Sequence, residues 1–378
     1  MKYKTGALLA LLPALLAGCS SPATAVLPYA REIQRTALME ALAVDLLPGG
    51  TGVAVTASSG ARAGTGESPG EAPLVLQGTA ETVAAACGQM QTYGADNVFY
   101  GDVEQVLTGE ALARDGLDDL LAHMARDPEL RLEAQLWVVL DGDGEEALSA
   151  TARDGGAAAR LSALEDDGEL LGAPAAKTAR EAMAELLLNG CTLLPALAVE
   201  EAGEERGLQG EQTLSQAGYA LFREGRLAGR AQGPSAEGLD LLEGRGEGRM
   251  LEFSAPDGRK AALRLTRVRT WLRPVFDGEA LQGLSVRCQV QAEAAEFQGG
   301  GLDEGLRTWL EEQLARESLE SLSSAIELCQ DLSCDCLHLG RKASLSAPWR
   351  KAALQEQWEA AFPGLEIELD VQAAVARV

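Results

Sequence analysis

The chain has 378 residues, with 32 lysines and arginines against 57 aspartates and glutamates, which gives a formal net charge of −25 at pH 7. So acidic a surface argues against nucleic-acid binding and against direct adsorption to anionic lipid, because both interactions need clustered basic residues. The hydrophobic fraction of 46% is enough for packed cores, and the length indicates two or three domains.

The first residues are typical of a secretory signal. Lys2 and Lys4 precede an apolar run from Ala7 to Ala17, which is too short to favour a membrane span. The run ends in LLAGC, which resembles the lipobox of bacterial lipoproteins, in which the cysteine thiol is diacylated and the preceding peptide is removed. Residues 1–18 are therefore predicted to be a lipoprotein signal peptide, with Cys19 as the lipidated N-terminus. The alternative is an ordinary signal peptide in which Cys19 is incidental.

Residues 19–29 are predicted to be a tether rich in serine, proline and alanine. A diacylglycerol or fatty acyl anchor buries its chains at about 0.8 kcal/mol per methylene, so two chains give stable attachment without a transmembrane helix. Loss of residues 1–18 removes two lysines and leaves 30 basic against 57 acidic residues, a net charge of about −27. The sequence thus predicts a membrane-attached protein on the extracytoplasmic face.

Residues 30–198 are predicted to form an N-terminal domain of one unit or two. Hydrophobic patterns predict strands at 52–56, 74–77 and 134–140, an extended stretch at 97–108, and helices at 79–91, from 109 to Asp127-Pro128, and from 178 to Gly190. Strand, helix, strand is the order of an α/β unit. The stretch from Asp154 to Gly172 is polar and rich in glycine, and no element is predicted there.

Residues 199–212 are acidic, contain glycine and lack apolar periodicity, so they are predicted to be a linker. In the C-terminal domain, residues 213–378, the patterns predict a hairpin turning at Glu224-Gly225, a strand at 284–294, a long helix at 302–329 and a shorter helix carrying Leu354, Trp358 and Phe362. The final strand, 365–375, alternates perfectly and is predicted to close a sheet begun near residue 219. The predicted class is mixed α+β, with an antiparallel-rich C-terminal sheet packed with the long helix.

Few residues suggest catalysis. GESPG at 66–70 matches the nucleophile pattern G-x-S-x-G, but Pro69 has no N–H to donate to an oxyanion. DGDGEE at 141–146 supplies only the first half of a calcium loop and is better interpreted as a solvated turn. The chain has only two histidines, His123 and His338, so the sequence offers few candidates for a general base. No catalytic residue, cofactor or metal site is predicted.

The segment CQDLSCDCLH, residues 329–338, raises the question of zinc or redox chemistry. Cys334 and Cys336 are closer than the two-to-four-residue spacing of a zinc knuckle, and no second pair occurs elsewhere. Cys329 falls on the apolar stripe of the long helix. Outside the cytoplasm, Cys329 with Cys334 or Cys336 is the nearest candidate disulfide, and the sequence leaves that pairing open.

Basic residues cluster at one place in this acidic chain. They are Arg259, Lys260, Arg264, Arg267, Arg269 and Arg273. On a strand they could line a face that meets an acidic partner or phospholipid headgroups. The interpretation favoured from the sequence is a sheet face neutralised by the protein's own acids.

Four stretches of the chain form an ordered set of motifs. They are REIQRTALMEALAVD at 31–45, residues 98–139, GYALFREGRLAGRA at 218–231, and DCLHLG at 335–340 with the tryptophan-containing segment 347–364 and the final strand. In their order and spacing they resemble the Ger(x)C family, the lipoprotein C subunit of nutrient germinant receptors in endospore-forming bacteria. Asp335 and Gly340 match landmarks of the family, which places Cys336 and His338 at positions that need neither metal nor thiol chemistry.

The resemblance implies a mixed α/β fold, attachment to the outer face of the spore inner membrane, and assembly with two integral-membrane receptor subunits. It implies no enzymatic activity. Two alternatives stay open from the residues: a solute-binding or other envelope lipoprotein of a transport system, and an envelope hydrolase, for which no nucleophile is visible in the sequence.

Overall fold

A computed structural model of the protein describes residues 36–60, 73–93, 97–150, 156–172, 174–201, 212–255, 258–298 and 302–376. The predicted signal peptide, Cys19, the tether and the GESPG segment lie outside the described residues. No helix within the described ranges is both long and apolar enough to cross a membrane.

One large sheet organises the N-terminal half. In chain order the strands of this half are β1 (Thr36–Leu38), β2 (Ala41–Leu46), β3 (Val53–Ser58), β4 (Val75–Ala80), β5 (Asn97–Phe99), β6 (Gln105–Gly109), β7 (Gln135–Val139), β8 (Cys191–Glu201), β9 (Gln212–Arg223) and β10 (Arg226–Ala231). Eight of them form a sheet in the order β10-β9-β8-β7-β6-β2-β3-β4, and β1 pairs with β5. Strands β2, β6, β7 and β8 are parallel, and the strands on either side of them are antiparallel.

Helices cover both faces of this sheet. They are α1 (Val83–Met90), α2 (Glu110–Asp115), α3 (Asp118–Arg126), α4 (Gly144–Ala150), α5 (Ala157–Leu171) and α6 (Ala179–Asn189). Because side chains alternate along a strand, Leu42 and Val44 lie in the core with α1, α2, α3 and α6, whereas Ala41 and Ala43 lie in the core with α4 and α5. The predicted α/β arrangement is confirmed.

Two predictions about helices in this half were wrong. The single helix expected from residue 109 to Asp127 is two helices, because Gly116 adopts a φ of 142° between α2 and α3. Helix α5 occupies the stretch where no element was predicted. Its buried side is formed by Ala157, Leu161 and Leu164, and the acidic residues and glycine that follow them gave the stretch its polar appearance in the sequence.

The C-terminal part contains a second sheet. Its strands are β11 (Met250–Ser254), β12 (Lys260–Asp277), β13 (Ala280–Phe297) and β14 (Glu366–Ala376), in that order, and its helices are α7 (Pro234–Glu243), α8 (Glu304–Asp331), α9 (Leu339–Ser346) and α10 (Lys351–Ala361). Strands β11, β12 and β13 are antiparallel, and β14 runs parallel to β13. The prediction of an antiparallel-rich sheet packed with a long helix is confirmed.

The long helix α8 packs on one face of this sheet through its apolar stripe. Leu310, Leu314 and Leu322 are fully buried, and they share a core with Val286 and Val290 of β13. The predicted alternation of the final strand is confirmed by the half-buried side chains of β14.

The final strand does not close a sheet begun near residue 219. Tyr219 lies in β9, which pairs with β8 and extends the eight-stranded sheet, whereas the sheet that contains β14 begins at Met250. Strand β9 is buried on both faces, so its sequence alone does not distinguish the two sheets. The ends of the predicted linker, Val199–Glu201 and Gln212, lie in β8 and β9, and the residues between them are outside the described ranges.

Helices α7 and α8 cross at a glycine. A Cβ atom on Gly238 would lie 1.9 Å from the carbonyl oxygen of Ser321 and 2.7 Å from the Cβ of Ala325. Only the absence of a side chain lets the two backbones approach this closely.

We expect Gly238→Ala to lower the free energy of unfolding by about 1–3 kcal/mol, because overpacking forces the helices apart. The matched control is Gly88→Ala in α1, where a Cβ would meet nothing within 4 Å and the change should be neutral or stabilise by up to about 1 kcal/mol. Urea denaturation of both variants measures the difference, and equal stability of the two would contradict the close crossing.

Candidate functional site

The turn after α8 brings the cysteine-rich segment against the N-terminal half. Ser333 and His338 both have a φ near 50°, in the left-handed region, and they bracket a tight turn that leads into α9. The segment then faces Glu185 and Asn189 of α6 and Cys191 of β8. We call the residues that meet here, 185–192 with 329–340 and Trp358, the junction.

Asp335 is the acceptor that holds the junction together. One carboxylate oxygen accepts the N–H of Leu339 at 2.7 Å, and the other accepts the N–H of Gly340 at 3.1 Å and the indole Nε1–H of Trp358 at 2.9 Å. The carboxylate therefore caps the N-terminus of α9 and fixes α10 against it. Burial raises the pKa of Asp335, against the opposing effect of the donors.

Gly340 and Trp358 fit together sterically. A Cβ on Gly340 would lie 2.5 Å from Cδ2 of the Trp358 ring. The aspartate, the glycine and the second tryptophan of the motif are thus brought to one point. The first tryptophan, Trp349, is 81% exposed and takes no part in this contact.

The cysteines of the junction are buried free thiols. The Sγ atoms of Cys329 and Cys336 lie 3.8 Å apart, and the Sγ of Cys334 donates to the carbonyl of Phe222 at 3.3 Å. The pKa values of Cys191 and Cys336 are raised. The main cause is a hydrogen bond with a neighbouring thiol, and burial contributes further. These two side chains are therefore neutral thiols, which are weak nucleophiles and weak metal ligands. No group of three His, Cys, Asp or Glu side chains in the described part of the chain could hold a metal ion.

His338 joins a polar cluster at the edge of the junction. Its Nδ1 contacts the side-chain amide of Asn189, which also donates to the Asp335 carbonyl at 3.1 Å, and its Nε2 lies 3.6 Å from Glu185. Glu185 accepts from Lys177 at 2.6 Å and from Thr192 at 2.5 Å. Burial alone would raise the pKa of Glu185, but His338 and Lys177 outweigh it and lower the pKa to about 2.

The acidic segment 141–146 also serves the fold. Asp45 of β2 accepts backbone N–H groups from Gly109 at 3.1 Å, Gly144 at 2.7 Å and Glu145 at 3.0 Å, so it ties the start of α4 to the end of β6. Asp45 was not among the residues predicted from the sequence to have a role. The signal that could have found it is a lone aspartate within the buried strand ALAVDL.

Arg230 connects the hairpin of β9 and β10 to the same region. Its guanidinium contacts the carboxylates of Glu110 and Asp141, and Glu110 also accepts the backbone N–H of Asp141 at 2.8 Å. The hydrogen bond from Arg230 lowers the pKa of Glu110 to about 2. The remaining histidine, His123, lies on α3 with its Nε2 3.9 Å from Asp127.

Comparison with known proteins gives a consistent assignment for both parts of the chain. The family model for the spore germination protein N-terminal domain matches residues 29–199, and the model for the spore germination B3/GerAC-like C-terminal region matches residues 217–378. A solved structure described as the crystal structure of the GerBC protein matches with a TM-score of 0.57 and 13% identity, covering 89% of this chain and 97% of that one. At this identity the likeness is one of fold. No curated protein matches the chain.

We expect Asp335→Ala to lower the free energy of unfolding by about 2–4 kcal/mol, because it leaves three donors without their acceptor. Trp358→Phe removes one of these hydrogen bonds and some packing, so its cost should be about 1–2 kcal/mol. Since both changes break the same bond, the double variant should lose less than the sum of the two. Urea denaturation of all four proteins measures the coupling, and strict additivity would contradict the contact.

We expect Glu110→Gln to cost about 1–3 kcal/mol of stability at pH 7, because it removes a charge paired with Arg230. Since the folded pKa, about 2, lies below the ordinary value of about 4.3, the native carboxylate contributes fully above pH 4.3. That contribution is lost as the pH falls toward 2, so the two proteins should converge there.

Denaturation of the Glu110→Gln protein and its parent at pH 7, 4 and 2.5 measures this convergence. The exposed Glu356→Gln change on α10 is the control and should have little effect at any pH. A Glu110→Gln difference that does not vary with pH would contradict the pairing.

Proposed function

The chain belongs to the Ger(x)C family of spore germination proteins, and from that premise we propose that it is a lipid-anchored, non-enzymatic subunit of a spore nutrient germinant receptor. The observation that carries the proposal is the order of the two family matches, which together account for residues 29–199 and 217–378. The likeness in fold to GerBC over 89% of the chain supports it.

The lipid anchor is proposed at Cys19. Support comes from the sequence, in which two lysines, a short apolar run and Leu-Leu-Ala-Gly precede this cysteine. Two acyl chains suffice for stable attachment. The acidic body then stands on the outer face of the spore membrane, next to the integral-membrane subunits with which we propose it assembles.

A non-enzymatic role is supported by how the reactive side chains are used. Asp335 caps a helix, the junction thiols pack in a core, and Asp45 and Glu110 bind backbone or arginine donors. Each of these groups has a structural partner that its chemistry requires. The proposed work of the protein is therefore to present surfaces to other receptor subunits.

The alternative of a solute-binding lipoprotein has less support. That class usually has two similar lobes around a cleft, whereas the two parts here are built on a mixed eight-stranded sheet and a four-stranded sheet. A cleft beside β6 and β7 is lined by Glu104, Arg131, Glu133 and Glu165 and holds about 200 Å³. Typical pockets for small ligands are larger, about 300–1,000 Å³.

We expect Cys19→Ala to abolish acylation and membrane attachment and to impair nutrient germination strongly. The reason is that the anchor is the proposed means of holding the folded part at the receptor. Cys87→Ala, which changes a half-buried cysteine of α1, is the control and should leave all three unchanged. Mass spectrometry of the mature chain measures acylation, fractionation of spore membranes measures attachment, and release of dipicolinate measures germination. Normal germination of spores that carry only the Cys19→Ala protein would contradict the proposal.

A further inference from the structure

Five of the six basic residues that cluster in the sequence lie on the outward face of the C-terminal sheet. The sixth, Arg259, precedes β12 and lies 4.0 Å from Asp303. Along β12 the residues Ala261, Leu263, Leu265 and Val268 point into the core, and the exposed side carries Lys260, Arg264, Arg267, Arg269, Trp271 and Arg273. A bulge between Leu265 and Arg267 inserts one residue and keeps the arginines facing outward beyond it. We call these six exposed residues the basic face.

The protein's own acids neutralise only part of this surface. Arg264 lies 3.7 Å from Glu293, and the neighbouring Arg287 of β13 lies 2.7 Å from Asp370. Within the described ranges, Arg267, Arg269 and Arg273 form no ion pair, and the residues opposite them on β13 are Gln291, Gln289 and Ser285. Direct pairing with the protein's own acids is therefore absent for these three arginines within the described ranges, and the exposed Glu366 and Glu368 lie two strands away on β14.

An exposed indole lies among the arginines. Trp271 is 44% exposed and sits between Arg269 and Arg273 on the same strand. Outward side chains of a strand follow each other at about 7 Å, so the indole and the guanidinium groups form a continuous row. Val275, which is also 44% exposed, extends this row. The result is an exposed row that combines arginines without an ion pair and an exposed aromatic ring.

We propose that the basic face lies against the anionic phospholipid headgroups of the membrane to which the chain is attached. Guanidinium groups bind phosphate through paired hydrogen bonds, and tryptophan side chains favour the membrane interface. The chain without residues 1–18 has a net charge of about −27, so an anionic surface repels most of the body. The row of arginines on β12 is the part of the body that such a surface attracts. Charge complementarity thus selects one orientation of the body.

This inference rests on the proposed anchor at Cys19, which supplies attachment, while the basic face supplies orientation. From Cys19 to Thr36 the chain has 17 steps, which span at most about 60 Å when fully extended. A contact made by the folded part itself would fix which side of the body faces the membrane.

The test uses the acylated full-length chain reconstituted into vesicles of phosphatidylcholine, with or without phosphatidylglycerol. Brominated phosphatidylcholine in the bilayer quenches nearby tryptophans, and the difference between the parent and the Trp271→Phe protein isolates the signal of Trp271. We expect Trp271 to be quenched in the anionic vesicles and the quenching to be lost in neutral vesicles and at high salt.

A charge variant and a matched control separate the basic face from general electrostatics. Combined Arg267→Gln, Arg269→Gln and Arg273→Gln changes should abolish the Trp271 quenching, whereas the corresponding lysine variant should retain it. Arg126, Arg180 and Arg223 are exposed elsewhere on the body, and changing these three to glutamine should leave the quenching intact. Circular dichroism confirms that each variant is folded.

Flotation of the vesicles distinguishes failure of the anchor from failure of the face. A chain that does not float contradicts the proposed function, because attachment itself is missing. A chain that floats but shows no Trp271 quenching in anionic vesicles overturns the inference. Protection of Trp271 only when the receptor's membrane subunits are present would also overturn it, in favour of an acidic protein partner.

Discussion

The antiparallel pairing of β8 with β9 is the contact on which the rest of the structure depends. It runs from Cys191 opposite Arg223 to Glu201 opposite Gln212, and it joins the strands on the two sides of the predicted linker. Along β9, Ala220 and Phe222 lie in the N-terminal core, while Tyr219 and Leu221 lie in the C-terminal core. Because a slip of one residue would exchange these faces, the register of this pair determines how the two parts meet. The parts matched by separate family models are thus built on a shared sheet.

Aspartate, cysteine and asparagine side chains of the junction strengthen the contact between the two parts of the chain. Asp335 satisfies three donors from α9 and α10, Cys334 donates to the carbonyl of Phe222 on β9, and Asn189 reaches the Asp335 carbonyl from α6. Buried polar groups are costly unless they are paired, so such a network favours a single arrangement of its elements. For a subunit whose proposed role is assembly, a fixed arrangement of its two parts is what presents a constant surface to its partners.

The sequence predicted the elements whose pattern is long and regular. The stripe of α8, the hairpin at Glu224-Gly225 and the alternation of β14 were each identified, because burial on one side produces a clear period. Helix α5 was missed because its buried stripe is short and is followed by Asp166, Asp167 and Gly168. The sheet of β14 was misassigned because pairing between distant strands leaves no local signal. The resemblance placed Asp335, Gly340 and Trp358 among the landmarks of the family. The hydrogen bond from Trp358 to Asp335, and the contact of this segment with residues 185–192, depend on the tertiary structure and were not predicted. The unpaired state of Arg267, Arg269 and Arg273 likewise depends on which residues β13 places opposite them.

The function proposed for this member of the Ger(x)C family requires partners embedded in the membrane, and their capture tests it most directly. An affinity-tagged chain would be purified from detergent-solubilised spore membranes, with a strain lacking the tag as control, and the copurified proteins identified by mass spectrometry. The proposal predicts that two integral-membrane receptor subunits copurify with the chain. Recovery of the chain with a transporter permease and its ATP-binding protein, or recovery without any membrane partner, would contradict it.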